Sequence, residues 1–271
     1  MSFQEAFRRC IFRKHNESDF KNIESILQAC VDNYESNAEI KSLHEILPLD
    51  ENSIIPITNN NLKKLYSDDL QKKDDPRKIY DDLLASAKYG KCVYCSYGES
   101  VELDHLLPKS KFPEFSILPY NLVPSCRRCN ALKLDYIPSN NRVGFVHPYY
   151  EDYSQIEWLY ARPIFTNNFL NVEFYVDDPL NLISAESLAR LRFQFTKLNL
   201  NIRYSGQVAS EISDIYYSLN NHFNKGGSYD VHTYLLSEAE SARKSNLNSL
   251  KTALFTCMAN SMRVCDMDWE I

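Results

Sequence analysis

Nowhere does this chain hold an apolar run approaching the roughly 18 residues that a membrane-spanning helix requires. Its first residues, Met1-Ser2-Phe3-Gln4-Glu5, pass into Arg8, Arg9, Arg13 and Lys14 without the apolar segment of a secretory leader. Both absences point to a cytoplasmic protein with no membrane partner. A basic excess is missing too: thirty Lys and Arg stand against thirty-six Asp and Glu, a formal charge of −6. That balance excludes a protein that coats nucleic acid without selectivity. No internal repeat and no low-complexity tract interrupts the 271 residues. With 44% apolar and 24% charged residues the composition is that of a soluble globular protein, not of a disordered, collagen-like or disulfide-scaffold chain. The length allows one large domain or two modest ones.

What the chain does have is eight cysteines in an uneven distribution. Cys92 and Cys95 form one C-x-x-C pair and Cys126 and Cys129 another, while Cys10, Cys30, Cys257 and Cys265 stand alone. Without an export signal these are not expected to be disulfides. Two C-x-x-C pairs in one short stretch read instead as a metal site.

Around that stretch the pattern is mainly helical. Phe20, Ile23, Leu27 and Cys30 recur at three- and four-residue steps, as one apolar helix face would. From about Leu47 to Asn61 the pattern weakens, and Pro48, Pro56 and the Asn59-Asn60-Asn61 cluster predict a loop. A further helix is punctuated by Asp75 as N-cap, Pro76 at the first helical position and Gly90 at its end. Beyond the cysteines, Trp158 to Phe165 and Leu170 to Val176 predict two strands, with a hairpin turn at Thr166-Asn167-Asn168. From Ser184 onward helices return, two of them separated by Gly226-Gly227. The expected organisation is an N-terminal helical region over 1–87, a small motif over 88–150, and a short β-hairpin followed by helices over 151–271.

Between the cysteine pairs lies Glu102-Leu103-Asp104-His105-Leu106-Leu107-Pro108-Lys109-Ser110, and the second pair sits in Asn121-Leu122-Val123-Pro124-Ser125-Cys126-Arg127-Arg128-Cys129-Asn130-Ala131-Leu132-Lys133. These residues resemble the HNH endonuclease motif, the ββα-metal nuclease core, in the variant where asparagine replaces the third histidine. The resemblance covers roughly residues 88 to 135 and rests on the two cysteine pairs with Asp104, His105, Asn121 and Asn130 in order. It implies an α+β, mainly helical fold class with a zinc-stapled ββα-metal core between helical flanks. It also implies the chemistry. A phosphodiester repels nucleophiles and has a poor leaving group, so hydrolysis needs a cation on the phosphate and a base on the attacking water. By analogy, Asp104 and Asn130 hold Mg²⁺ or Mn²⁺, His105 is the general base, and Asn121 pins the loop that orients His105. The products would end in 5′-phosphate and 3′-hydroxyl. Cys92, Cys95, Cys126 and Cys129 would hold a structural Zn²⁺, since four thiolates leave no open position for substrate.

Lys109, Lys111, Arg127, Arg128 and Lys133 are candidate phosphate contacts on a DNA substrate. Residues 88 to 133 nevertheless carry only seven basic against four acidic side chains, which leaves −9 on the rest of the chain. A clamp that weak implies a protein partner. The whole layout, a helical lead-in, the core, then His147-Pro148-Tyr149 and more helices, resembles HNH effectors of bacterial anti-phage systems of the Septu and retron-associated types. That resemblance implies a partner ATPase of the ABC type. His147 is expected to be structural, and His15, His44, His222 and His232, which lack companions, to be ordinary surface or core residues. The competing reading is a non-catalytic, zinc-stabilised adaptor for nucleic acid or protein. An intron-encoded homing enzyme would need an extended basic surface that the acidic flanks do not offer.

Overall fold

The computed structural model describes residues 2–271 and divides into two compact units, Met1–Glu151 and Asp152–Ile271. The chain is mainly helical with two small two-stranded sheets.

In the first unit, α1 (Phe3–Ile11), α2 (Glu17–Asn22) and α3 (Glu24–Glu39) are followed by α4 (Asn59–Lys64), a π-helical turn over Leu65–Leu70, and α5 (Asp74–Ala85). The apolar face expected from Phe20 to Cys30 is split at Ile23, where the backbone leaves the helical region and caps α2. Asn59-Asn60-Asn61 opens a helix and does not form a loop: Thr58 is the N-cap, its side chain accepts from the Asn61 amide, and the Asn61 side chain answers the Thr58 N–H. Helix α5 begins at Asp74 with Lys73 as N-cap, so Asp75 lies inside the first turn and Pro76 at its third position. Pro there still breaks no bond, because the first-turn N–H groups have no partner within the helix. The core is an aromatic and aliphatic cluster in which Phe7, Phe20, Tyr34, Phe112 and Phe115 are fully buried.

Strands β1 (Glu102–His105) and β2 (Leu122–Ser125) pair antiparallel, with Asp104 opposite Val123 and His105 opposite Leu122, and α6 (Arg127–Lys133) follows at once. The second unit is built on β3 (Leu159–Thr166) and β4 (Phe169–Val176), joined through Asn167 and Asn168, both at positive φ. Against the β4 face formed by Val172, Phe174 and Val176 lie α7 (Ala185–Lys197) and α8 (Leu200–Ser245); α9 (Leu250–Ala259) and α10 (Met262–Cys265) complete the unit. The expected break at Gly226-Gly227 is present: both glycines leave the helical region, Gly227 at φ 67°, and divide α8 into two helical stretches across a kink.

Candidate active site and cysteine cluster

Leu103 has both backbone polar groups tied to the N-terminal helices: its carbonyl accepts from the Tyr66 hydroxyl at 3.0 Å and its N–H donates to the Tyr80 hydroxyl at 3.4 Å. These bonds satisfy an edge that a two-stranded sheet would leave open, and they fix the strand that carries Asp104 and His105.

His105 is buried, with Tyr66 edge-on to its ring at 4.4 Å between centroids. Its Nε2 lies 2.9 Å from the Ser116 carbonyl. A carbonyl only accepts, so Nε2 carries the proton and Nδ1 keeps its lone pair. Ser116 is held in turn by its hydroxyl, which donates to the Leu62 carbonyl at 2.7 Å. Burial, with the positive charges of Lys109 and Lys133 behind it, pushes the His105 imidazole down to about 3. The ring is therefore neutral at cell pH, with Nδ1 as its acceptor nitrogen.

Asn121 is fully buried and pins the loop between the strands. Its Oδ1 accepts from the Leu107 N–H (2.8 Å) and the Tyr34 hydroxyl (3.2 Å), and its Nδ2 donates to the carbonyls of Leu107 (3.0 Å) and Phe115 (3.2 Å). All four hydrogen-bonding positions of the amide are used. Tyr34 also meets His147 Nε2 at 3.1 Å, and His147 Nδ1 accepts from the Tyr149 N–H. His147 is thus enclosed in a structural network, away from the cleft.

Asp104 is buried in the wall of the cleft. Its Oδ2 accepts from the Tyr94 hydroxyl at 2.7 Å and faces Lys133 Nζ at 3.2 Å. Lys133, expected at the surface as a phosphate contact, is completely buried; its ammonium donates to the His105 carbonyl at 2.6 Å and pairs with Asp104. It is an internal cation that braces the two ends of the motif, because α6 turns its last residues inward over β1. Burial pushes the Asp104 carboxyl up and the Lys133 ammonium down, and each is drawn back by the other's charge.

Asn130, one residue past Cys129, is half-buried and donates from Nδ2 to Glu102 Oε1 at 2.8 Å. A cleft of about 280 Å³ is lined by Glu102, Asp104, His105, Lys109, Asn130 and Asp135 among others. It brings together Asp104, His105, Asn130 and Lys109. Arg127, Arg128 and Lys111 are exposed and lie outside its lining. Lys109 spreads its ammonium over the Tyr66 ring at 4.2 Å, and burial lowers its pKa. A buried carboxylate, an amide oxygen and a neutral imidazole around one open cleft form a donor set suited to a hard cation and its waters.

The sulfurs of Cys92, Cys95, Cys126 and Cys129 all lie within 4.8 Å of one another, and every one is buried. Cys95 and Cys126 are 3.9 Å apart; a tetrahedron with Zn–S bonds near 2.3 Å has an edge of about 3.8 Å. The cluster could therefore bind zinc. Hydrogen bonding among the sulfurs holds Cys126 below the ordinary thiol range and Cys129 above it. Gly98 allows the close approach, since a Cβ there would stand 3.1 Å from both Cβ and Sγ of Cys126.

Residue spacing left several contributors unread. Glu102 sits two residues before Asp104, and the two-residue period of a strand would have placed both on one face. Tyr34, Tyr66 and Leu62 carry no local signal; they reach the motif only through tertiary packing.

This chain is 31% identical over 236 residues to protein ea31 of Escherichia phage lambda, covering 79% of this chain and 77% of that protein. It is also 42% identical over 48 residues to the Septu protein PtuB of Bacillus thuringiensis, covering 16% of this chain and 19% of PtuB. No family model matches the sequence and no solved structure matches it.

Proposed function

The chain belongs to the family of the phage lambda protein ea31, and from its cleft we propose that it is a metal-dependent endonuclease of the HNH type that hydrolyses DNA. One observation carries the reading: His105, with Nε2 fixed on the Ser116 carbonyl and Nδ1 left as acceptor, shares a single cleft with Asp104 and Asn130. Asp104 and Asn130 would hold Mg²⁺ or Mn²⁺, and the cysteine cluster Zn²⁺. When bound there, a hard cation would neutralise the negative charge that builds up during phosphodiester hydrolysis. His105 Nδ1 takes a proton from the attacking water as its oxygen bonds to phosphorus, and as the bond to the 3′ oxygen breaks the departing oxygen takes a proton from solvent water. The products are a 5′-phosphate and a 3′-hydroxyl. The Ser116 carbonyl stabilises the imidazolium that forms, and Asn121 holds the loop that presents that carbonyl. Lys109, at the cleft, is placed to meet a phosphate oxygen.

The short stretch shared with PtuB and the charge of −9 outside the motif support an anti-phage effector that depends on a partner protein, an ATPase on this reading, to engage substrate. The test is nicking of supercoiled plasmid with and without Mg²⁺ or Mn²⁺. The expected result is metal-dependent cleavage, reduced roughly 10²–10⁴-fold in His105→Ala with zinc content unchanged. Cleavage that survives His105→Ala overturns the assignment. A protein inert under every condition, yet sensitive to loss of Cys92, Cys95, Cys126 or Cys129, would be an adaptor.

A further inference from the structure

The geometry points to Glu102 as the residue that decides which end of the Asn130 amide faces the cleft, an inference that rests on reading the cleft as a cation site. The two ends of an asparagine amide are alike in shape and opposite in chemistry: the oxygen can ligate a hard cation and the NH₂ cannot. The torsion that exchanges them is broad and roughly two-fold, so the helix does not choose between them. The backbone of Asn130 is already held, because its N–H donates to the Cys126 carbonyl and Cys129 precedes it. The remaining freedom is the terminal rotation. Glu102 removes it. An ionised carboxylate has no proton to offer, so only the NH₂ end can meet Glu102 Oε1 at 2.8 Å. Oδ1 becomes the other end, and among the described residues nothing donates to it. The strand period puts Glu102 on the same side of β1 as Asp104, so the carboxylate that orients one ligand stands beside the other.

Glu102 is thus a positioning residue, and a cycle of four proteins separates that role from its neighbours: wild type, Glu102→Gln, Asn130→Asp and the double variant. Mn²⁺ binding is read from the free-ion electron paramagnetic resonance signal, with plasmid nicking, zinc content and melting temperature in parallel. Gln can either accept from the amide or donate to it, so Glu102→Gln loses the orientation. Mn²⁺ binding should weaken roughly 10–100-fold, with zinc content and melting unchanged. With Asp at 130 both ends are oxygens and nothing remains to orient. Glu102→Gln should then cost nothing in that background, or improve binding by removing a like charge. An equal loss in both backgrounds makes Glu102 itself a ligand and overturns the inference; so does no loss in the wild-type background. A joint fall in zinc content and melting temperature reduces Glu102 to a structural contact and overturns it too. A wild type that neither binds Mn²⁺ nor nicks DNA defeats the cation-site reading and this inference with it. Binding and cleavage with an additive cycle defeat the inference alone.

Discussion

Strands β3 and β4 run eight residues each, alternate buried and part-exposed positions along β4, and are joined by two adjacent asparagines at positive φ. Strands β1 and β2 run four residues each, are separated by sixteen residues of loop, and bury nearly every side chain, including an aspartate and a histidine. The first hairpin obeys local rules: a two-residue turn with left-handed backbone matches the twist of its strands, and one face packs. The second obeys none of them. Its edge is closed by two tyrosine hydroxyls, its loop by Asn121, and its far end by four sulfurs. A sheet too short to hold itself is held by groups from outside, and that support lets it keep a charged and a titratable side chain buried.

The contrast is broken hardest at the sulfurs. Cys129→Ser removes one sulfur from a cluster that could bind zinc, and a structural zinc site contributes on the order of 10 kcal/mol to folding. Hydrogen exchange should rise across β1, β2 and α6 while β3 and β4 stay protected; unchanged protection of β1 would show that the tyrosines and Asn121 suffice.

A smaller effect tests the buried imidazoles. Burial pushes His147 down to about 3, as it does His105. Each ring binds a proton in the unfolded chain near pH 6.5 but not in the folded one, so the unfolded state carries more protons between pH 6.5 and about 3. Stability is therefore lost as pH falls through that window, by up to about 1.4 kcal/mol per pH unit per ring, on the order of 5 kcal/mol in all for each. Glu114 works the other way: burial raises it to about 6, so its contribution grows on acidification. His147→Gln should flatten the loss of urea stability below pH 6.5 by about 1.4 kcal/mol per pH unit. An unchanged slope would mean that the ring is not the proton acceptor of that transition.

The smallest effect belongs to the hairpin that stands on its own turn. Asn167, at φ 50°, should lose about 1 kcal/mol on mutation to Ala, which takes that backbone less readily, and stay within about 0.5 kcal/mol on mutation to Gly. Thermal melting of the two variants checks the pair; equal losses would place the Asn167 contribution in its side chain and not in its backbone.

These differences also explain what the sequence made legible. The alternation of Leu170, Val172, Phe174 and Val176 and the paired asparagines are short-range signals, as is the spacing of four cysteines. Asp104, His105 and Asn130 could be seen because a motif keeps them near one another along the chain. The supports could not: Tyr34 acts on Asn121 from 87 residues away and Tyr66 on Leu103 from 37, distances over which no periodicity speaks. Thr58 and Asn61 were legible after all, since a hydroxyl three residues before an amide is a capping pattern; a run of asparagines outweighed it. Lys133 has a different lesson. A lysine in a basic stretch reads as surface, and only the fold shows that the chain turns it inward onto Asp104.

Tyr34, Leu62, Tyr66 and Tyr80 together make the motif inseparable from its lead-in. Residues 88–135 are not a cassette: grafted alone into another scaffold, they would bring the reactive groups and the sulfurs but leave His105 without its ring partner, Ser116 without its anchor and Leu103 with two orphaned polar atoms. Any transplant of this site must carry the preceding helices along, because residues far outside the motif hold its backbone and its imidazole in place.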